Sequence, residues 1–133
     1  MSNALLVVGG AIFVLMGVVH GALALADIVR PRWFTPADDA VRVAMRSTTV
    51  RFLDARACVW DAWLGFNISH SLGMLLFGAA ALATGVQGAP PAAAAVAAGV
   101  GAIYVALSLR FWFWAPAAAS IAATACFAVA WWS

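Results

Sequence analysis

Four long apolar stretches constrain this chain more than any other feature of its sequence. The first, Ala4 to Ala26, reads ALLVVGGAIFVLMGVVHGALALA. The second runs from about Cys58 to Thr84, the third from Pro90 or Pro91 to Leu109, and the fourth from about Trp112 to Trp132. An α-helix of about 20 residues, rising 1.5 Å per residue, crosses the roughly 30 Å hydrocarbon core of a bilayer. Inside that core every backbone N–H and C=O must be paired within the protein, which leaves helices or closed barrels. Barrel strands alternate in polarity residue by residue, and these stretches do not. The expectation is an all-α integral membrane four-helix bundle, a single transmembrane domain over residues 1–133.

Composition points the same way. The chain is 66% hydrophobic and 9% charged, has a mean hydropathy of +1.01, and contains neither Lys nor Glu. A water-soluble domain of this length needs more charge than that. The first stretch could be read as a signal peptide, but that would need a basic start and a shorter apolar region. Only uncharged Ser2 and Asn3 separate it from Met1, so it is expected to be a retained span. The net charge of +2 carries no basic run or aromatic ladder of a nucleic-acid binder, so no nucleic acid is expected as a partner.

Orientation follows from arginine. Arg30, Arg32, Arg42, Arg46, Arg51 and Arg56 lie between spans one and two, and Arg110 lies between spans three and four. In a four-span chain those connections share a side. The positive-inside rule then puts the Arg-rich loop in the cytoplasm and both termini outside, in a bacterial inner (cytoplasmic) membrane. Trp33, Trp60, Trp63, Trp112 and Trp114 fall at that end of the spans, and Trp131 and Trp132 at the other, as an interfacial aromatic belt would.

Residues 27–57 form the only sizeable polar segment. Thr35 followed by Pro36, with Asp38 three residues after it, reads as a helix start. Asp38 and Arg42 are an i,i+4 pair, and Val41 and Met45 share a face. A short interfacial amphipathic helix is expected there, either as a plain connection or as a lid or docking face.

Polar side chains at membrane depth are costly and have a reason. His20 precedes Arg30 by ten residues and His70 follows Arg56 by fourteen, so the imidazoles should reach similar depths on neighbouring helices. Asn67, His70 and Met74 fall on one stripe of span two, with Ser71 beside it. Asp61 points to the opposite face and is expected near water, pairing with an arginine of the connection. Tyr104 and Ser108 are expected in the same half of the bundle. The candidate ligand-binding set is therefore His20, Asn67, His70, Ser71 and Tyr104, with Asp61 and Arg110 as supporting or interface residues.

Three readings of this cluster stay open. The side chains hydrogen-bond across helices and fix packing, helped by Gly17 and Gly21 around His20. Alternatively His20 and His70 ligate haem b, although no arginine at that depth would receive the propionates. Or they line a pocket for an apolar molecule such as a lipid, a sterol-like compound or a quinone, extending to catalysis with a histidine moving protons. No Cys-x-x-Cys, His-Glu-x-x-His or phosphate-loop pattern occurs, so no metal site and no definite cofactor is expected. Cys58 and Cys126 lie at unlike depths and read as small buried hydrophobes. A homo-oligomer, or a subunit of a larger membrane complex, is the expected assembly.

The segments WLGFNISHSLGMLLFG (Trp63–Gly78), HGALALADIVRPRWFTPADDAVRVAMR (His20–Arg46) and LSLRFWFWAP (Leu107–Pro116) cover much of the chain. Together they resemble a family of small four-span bacterial membrane proteins with no settled activity. The resemblance implies the four-span topology and a set of family positions, His20, Asn67, Ser69, His70, Ser71, Gly73 and Arg110. It assigns none of them a catalytic role.

Overall fold

The computed structural model of the protein describes residues 2–51, 57–88 and 90–133. It is all-helical in its regular elements: α1 (Ser2–Val29), α2 (Asp39–Ser47), α3 (Val59–Gln87), α4 (Pro91–Phe111) and α5 (Trp114–Trp132). Four of these, α1, α3, α4 and α5, are long and apolar enough to cross a membrane. Large apolar side chains stand outward on all four. Leu15, Leu76, Ile103 and Val129 are each more than half exposed, which suits a lipid-facing surface and not a watery one.

The ends of the helices follow local chemistry. Gly88, at a φ of 86°, takes the left-handed conformation that ends α3, which costs glycine little. Pro90 and Pro91 open α4, where a missing N–H removes no helical bond.

The chain divides into two compact units, Met1–Gly17 with Gly73–Ser133, and Val18–Leu72. In the first, parts of α1 and α3 join all of α4 and α5 around an apolar core of Leu6, Phe13, Met74, Ala81, Ala97, Ala123 and Phe127, among others. Phe13 is fully buried. Its ring meets those of Phe77, Tyr104 and Phe127 at centroid distances of 4.7, 5.1 and 6.1 Å. Small residues let the backbones close in around these rings. A Cβ on Gly10 would lie 2.6 Å from the Leu82 nitrogen, and one on Gly78 would lie 2.6 Å from the Val14 nitrogen. Such contacts are how helices associate where burial from water gives no drive.

The second unit holds the end of α1, all of α2 and the start of α3. Thr49 and Cys58 form an isolated antiparallel bridge, with Val50 N–H donating to the Ala57 carbonyl at 3.0 Å and Val59 N–H to that of Thr48 at 2.8 Å. Arg56 lies outside the described residues.

Helix α2 starts later than the sequence suggested. Asp38, not Thr35, is the N-cap, and its side chain accepts from Ala40 N–H at 2.8 Å. Asp38 is thereby occupied, and Arg42 pairs with Asp39 at 2.7 Å instead. Thr35 Oγ1 is buried with no hydrogen-bond partner among the described residues. Upstream, the N–H groups of Arg32, Trp33 and Phe34 are held by the Asp27 carboxyl group, and helical geometry begins at Asp39. No residue of α2 is buried.

Along α3 the buried positions are Trp60, Leu64, Asn67, Ser71, Met74, Gly78, Ala81 and Gly85. The steps alternate between four and three, the 3.5-residue period of a left-handed helix packing. On α1, Leu6, Gly10, Phe13, Gly17, Ala24 and Asp27 follow the same rule, with half-buried His20 at the intervening step.

Because Gly10 and Gly78 meet backbone and not flexible side chains, Gly10→Ala and Gly78→Ala should each cost about 1–3 kcal/mol of stability. Gly99, where an added Cβ meets nothing within 4 Å, should accept Ala with a change of no more than about 0.5 kcal/mol, or a gain from helix propensity. Melting temperatures of the three variants in detergent check this, and indistinguishable values would refute the close-approach account.

Candidate functional site

The Val18–Leu72 unit gathers most of the polar side chains that the sequence singled out. Gly21 of α1 faces Ser71 of α3, where an added Cβ would lie 3.2 Å from that of Ser71. This close approach puts His20 beside Asn67. His20 Nε2 and Asn67 Oδ1 are 3.0 Å apart, and Asn67 Nδ2 donates to the Trp63 carbonyl at 2.8 Å. A carbonyl only accepts, so it fixes the amide with its NH2 toward Trp63 and its oxygen toward His20. Nε2 of His20 must then carry the proton and donate. Asn67 is fully buried, and an unpaired amide there would be expensive. Ser71, also buried, donates its hydroxyl to the Asn67 carbonyl at 2.7 Å.

His70 comes to the same place from the flank. The imidazoles of His20 and His70 meet edge to face, 5.5 Å between centroids. Phe34 lies over His20 at 4.4 Å, and the Phe66 ring is nearly parallel to His70 at 6.0 Å. Both histidines are half-buried. The seam residue at this level is Ser71, not His70. The expected stripe of Asn67, His70 and Met74 is therefore corrected to Asn67, Ser71 and Met74, because the buried face of α3 lies on the Ser71 side of Asn67 and leaves His70 half-buried at its flank.

Tyr104 belongs to the Met1–Gly17 and Gly73–Ser133 unit, where its neighbours are the rings of Phe13 and Phe77 and its hydroxyl lies beside Gly73. Arg110, in the same unit, is exposed, with its guanidinium 5.0 Å from the centre of the Phe111 ring. Asp61 is exposed in the first turn of α3 and makes no ion pair among the described residues; Arg42–Asp39 is the pair found there. Ser69 is exposed and bonds to the Phe66 carbonyl at 2.9 Å.

Three further residues shape the site: Asp27 and Phe34, which carry no motif, and Trp63, whose place at a span end suggests only an interfacial role. Asp27 is fully buried in the last turns of α1. Its Oδ1 accepts from the N–H groups of Arg32 at 2.8 Å and Trp33 at 2.9 Å, and its Oδ2 from that of Phe34 at 2.6 Å. A carboxyl group near a helix C-terminus meets the negative end of the helix dipole, so these donors offset both dipole and desolvation. An acid just before Arg30-Pro31, where the helix must stop, was the available signal. Phe34 and Trp63 complete the turn: the Trp63 indole N–H donates to the Phe34 carbonyl at 2.8 Å.

The geometry does not fit haem b between the histidines. Two axial imidazoles must each aim a nitrogen at one iron with a macrocycle spread between them. Here the rings touch edge to face and His20 Nε2 is spent on Asn67. Among the described residues no three of His, Cys, Asp or Glu converge as a metal site. What the arrangement offers is a pair of imidazoles walled by aromatic rings, able to give and take hydrogen bonds.

A double-mutant cycle over His20→Ala and Asn67→Ala should return a coupling of about 0.6 kcal/mol and no more than ~1.7, the range of such bonds in bilayers. Additive losses in unfolding free energy would show that the two side chains do not support each other.

Compared with known proteins, the chain matches no family model, no curated protein and no solved structure, so its site is read from geometry alone.

Proposed function

We propose that this chain is a multi-pass protein of a bacterial cytoplasmic membrane that binds a small apolar molecule bearing one hydrogen-bonding head, received by His20 and His70. The observation that carries this reading is the edge-to-face imidazole pair, half-buried between Phe34 and Phe66. Ligand sites are mostly apolar with a few convergent polar groups, and this cluster has that character. Asn67 fixes the tautomer of His20, so in the neutral ring Nδ1 is the acceptor and Nε2 the donor. His70 stands half-buried at the flank of the α3 seam, whereas Asn67 and Ser71 are buried within it. Quinones, sterol-like compounds and lipids share the required chemistry of a flat or bulky apolar body with one polar end.

The arginine asymmetry supports an orientation with residues 30–51 and Arg110 at the cytoplasmic face and both termini outside. Asp61 would be the natural acid for catalysis, yet it precedes His70 by nine residues, roughly 13 Å along the helix axis, and is exposed. Binding is therefore favoured over an enzymatic role.

Two measurements test this reading. A ubiquinone or menaquinone analogue titrated into protein in nanodiscs should bind, and His70→Leu should abolish binding while shifting the melting temperature little. A large loss of stability in His70→Leu, with unchanged binding, would make the histidine packing glue. Fixed-stoichiometry partners in a gentle purification, with no ligand bound, would favour an accessory-subunit role instead. Separately, single cysteines at Ser2 and Arg42, in a background with Cys58 and Cys126 replaced, should label from opposite faces in sealed cells. Labelling from one face would overturn the orientation.

A further inference from the structure

We propose that Asp27 is a positioning residue for the imidazole pair: by holding the backbone of residues 32–34 it seats the Phe34 ring on His20 and so controls access to that imidazole. This deepens the ligand-binding reading and rests on it for the meaning of access, but the seating itself involves no ligand.

Asp27 is fully buried and near no arginine side chain that pairs with it among the described residues. Its two carboxyl oxygens are spent on three consecutive backbone N–H groups, those of Arg32, Trp33 and Phe34. That is an expensive way to end a helix unless the turn it organises has a use. The turn delivers two things. The Phe34 ring lies 4.4 Å from the His20 ring at an interplanar angle of 30°, covering one face of the imidazole. The Phe34 carbonyl meets the Trp63 indole N–H at 2.8 Å, which ties the turn to α3 one helical turn before Asn67. His20 is thus held at its edge by Asn67 and covered on one face by Phe34. The first contact is between helices and costs little to keep. The second sits on a short turn whose geometry depends on one carboxyl group.

Replacing that carboxyl by an amide puts a donor where the N–H groups need an acceptor. Asp27→Asn should release the turn while leaving the His20–Asn67 bond in place. Phe34→Ala should uncover His20 while leaving the bonds to Asp27 intact.

The experiment is carbethoxylation of full-length protein in detergent by diethyl pyrocarbonate, read by peptide mass spectrometry, with hydrogen exchange on the same samples. Both variants should raise the labelling rate of His20 several-fold relative to His70. In Asp27→Asn, but not in Phe34→Ala, the amides of residues 32–34 should exchange several-fold faster, while those of residues 67–72 keep wild-type protection. Unchanged His20 labelling in Asp27→Asn would overturn the proposal. So would faster exchange spread equally over residues 32–34 and 67–72, since that is general loosening. A protein that fails to bind any quinone yet shows the selective pattern would lose the ligand reading and keep the latch.

Discussion

The approach of α1 to α3 through small residues is the constraint on which the rest depends. Where Gly21 faces Ser71, the helices come close enough for a histidine on one and an asparagine on the other to share a hydrogen bond. In the unit built from Met1–Gly17 and Gly73–Ser133, Gly10 and Gly78 do the same for packing alone. Lipid tails are as apolar as leucine, so contact area between helices, not escape from water, favours association. A side chain as small as Ala at these positions is already an obstacle.

Once that closeness exists, polar groups can be carried into the interior at tolerable cost. Asn67 and Asp27 are each fully buried, and both polar side-chain atoms of each are hydrogen-bonded. They solve the problem differently. Asn67 bridges an imidazole and a carbonyl of its own helix. Asp27 gathers the backbone of the turn that follows it. One arrangement joins two helices, and the other shapes a loop.

Much of this was legible in the sequence, and the failures have physical causes. The apolar lengths were enough to locate all four long helices, because hydrophobic length is what spanning demands. Helix α1 runs on to Val29, past the expected Ala26, because the Asp27 side chain is satisfied by the turn and need not reach water. Counting residues from the arginines put His20 and His70 at similar depths, and their rings meet. Depth says nothing about direction around a helix axis. Tyr104 is placed by its own unit, where it stands among the rings of Phe13 and Phe77. His70 and Ser71 flank Asn67 on either side of α3, and both complete a 3.5-residue spacing with Met74, so periodicity alone does not choose between them; the burial of Ser71 does. The part played by Phe34 had no local signature at all, because it arises from a turn set by a residue seven positions earlier.

Trp63 contributes to both arrangements through chemically different groups. Its main-chain oxygen receives Asn67, and its indole nitrogen receives nothing but gives to Phe34. The oxygen belongs to every amino acid that could stand at that position, whereas the nitrogen belongs to tryptophan alone. Evolution, or an engineer, is thus free to retune how the aromatic cover is tethered without disturbing which imidazole nitrogen bears hydrogen. Two adjacent properties of one centre, its openness and its tautomer, are inherited separately.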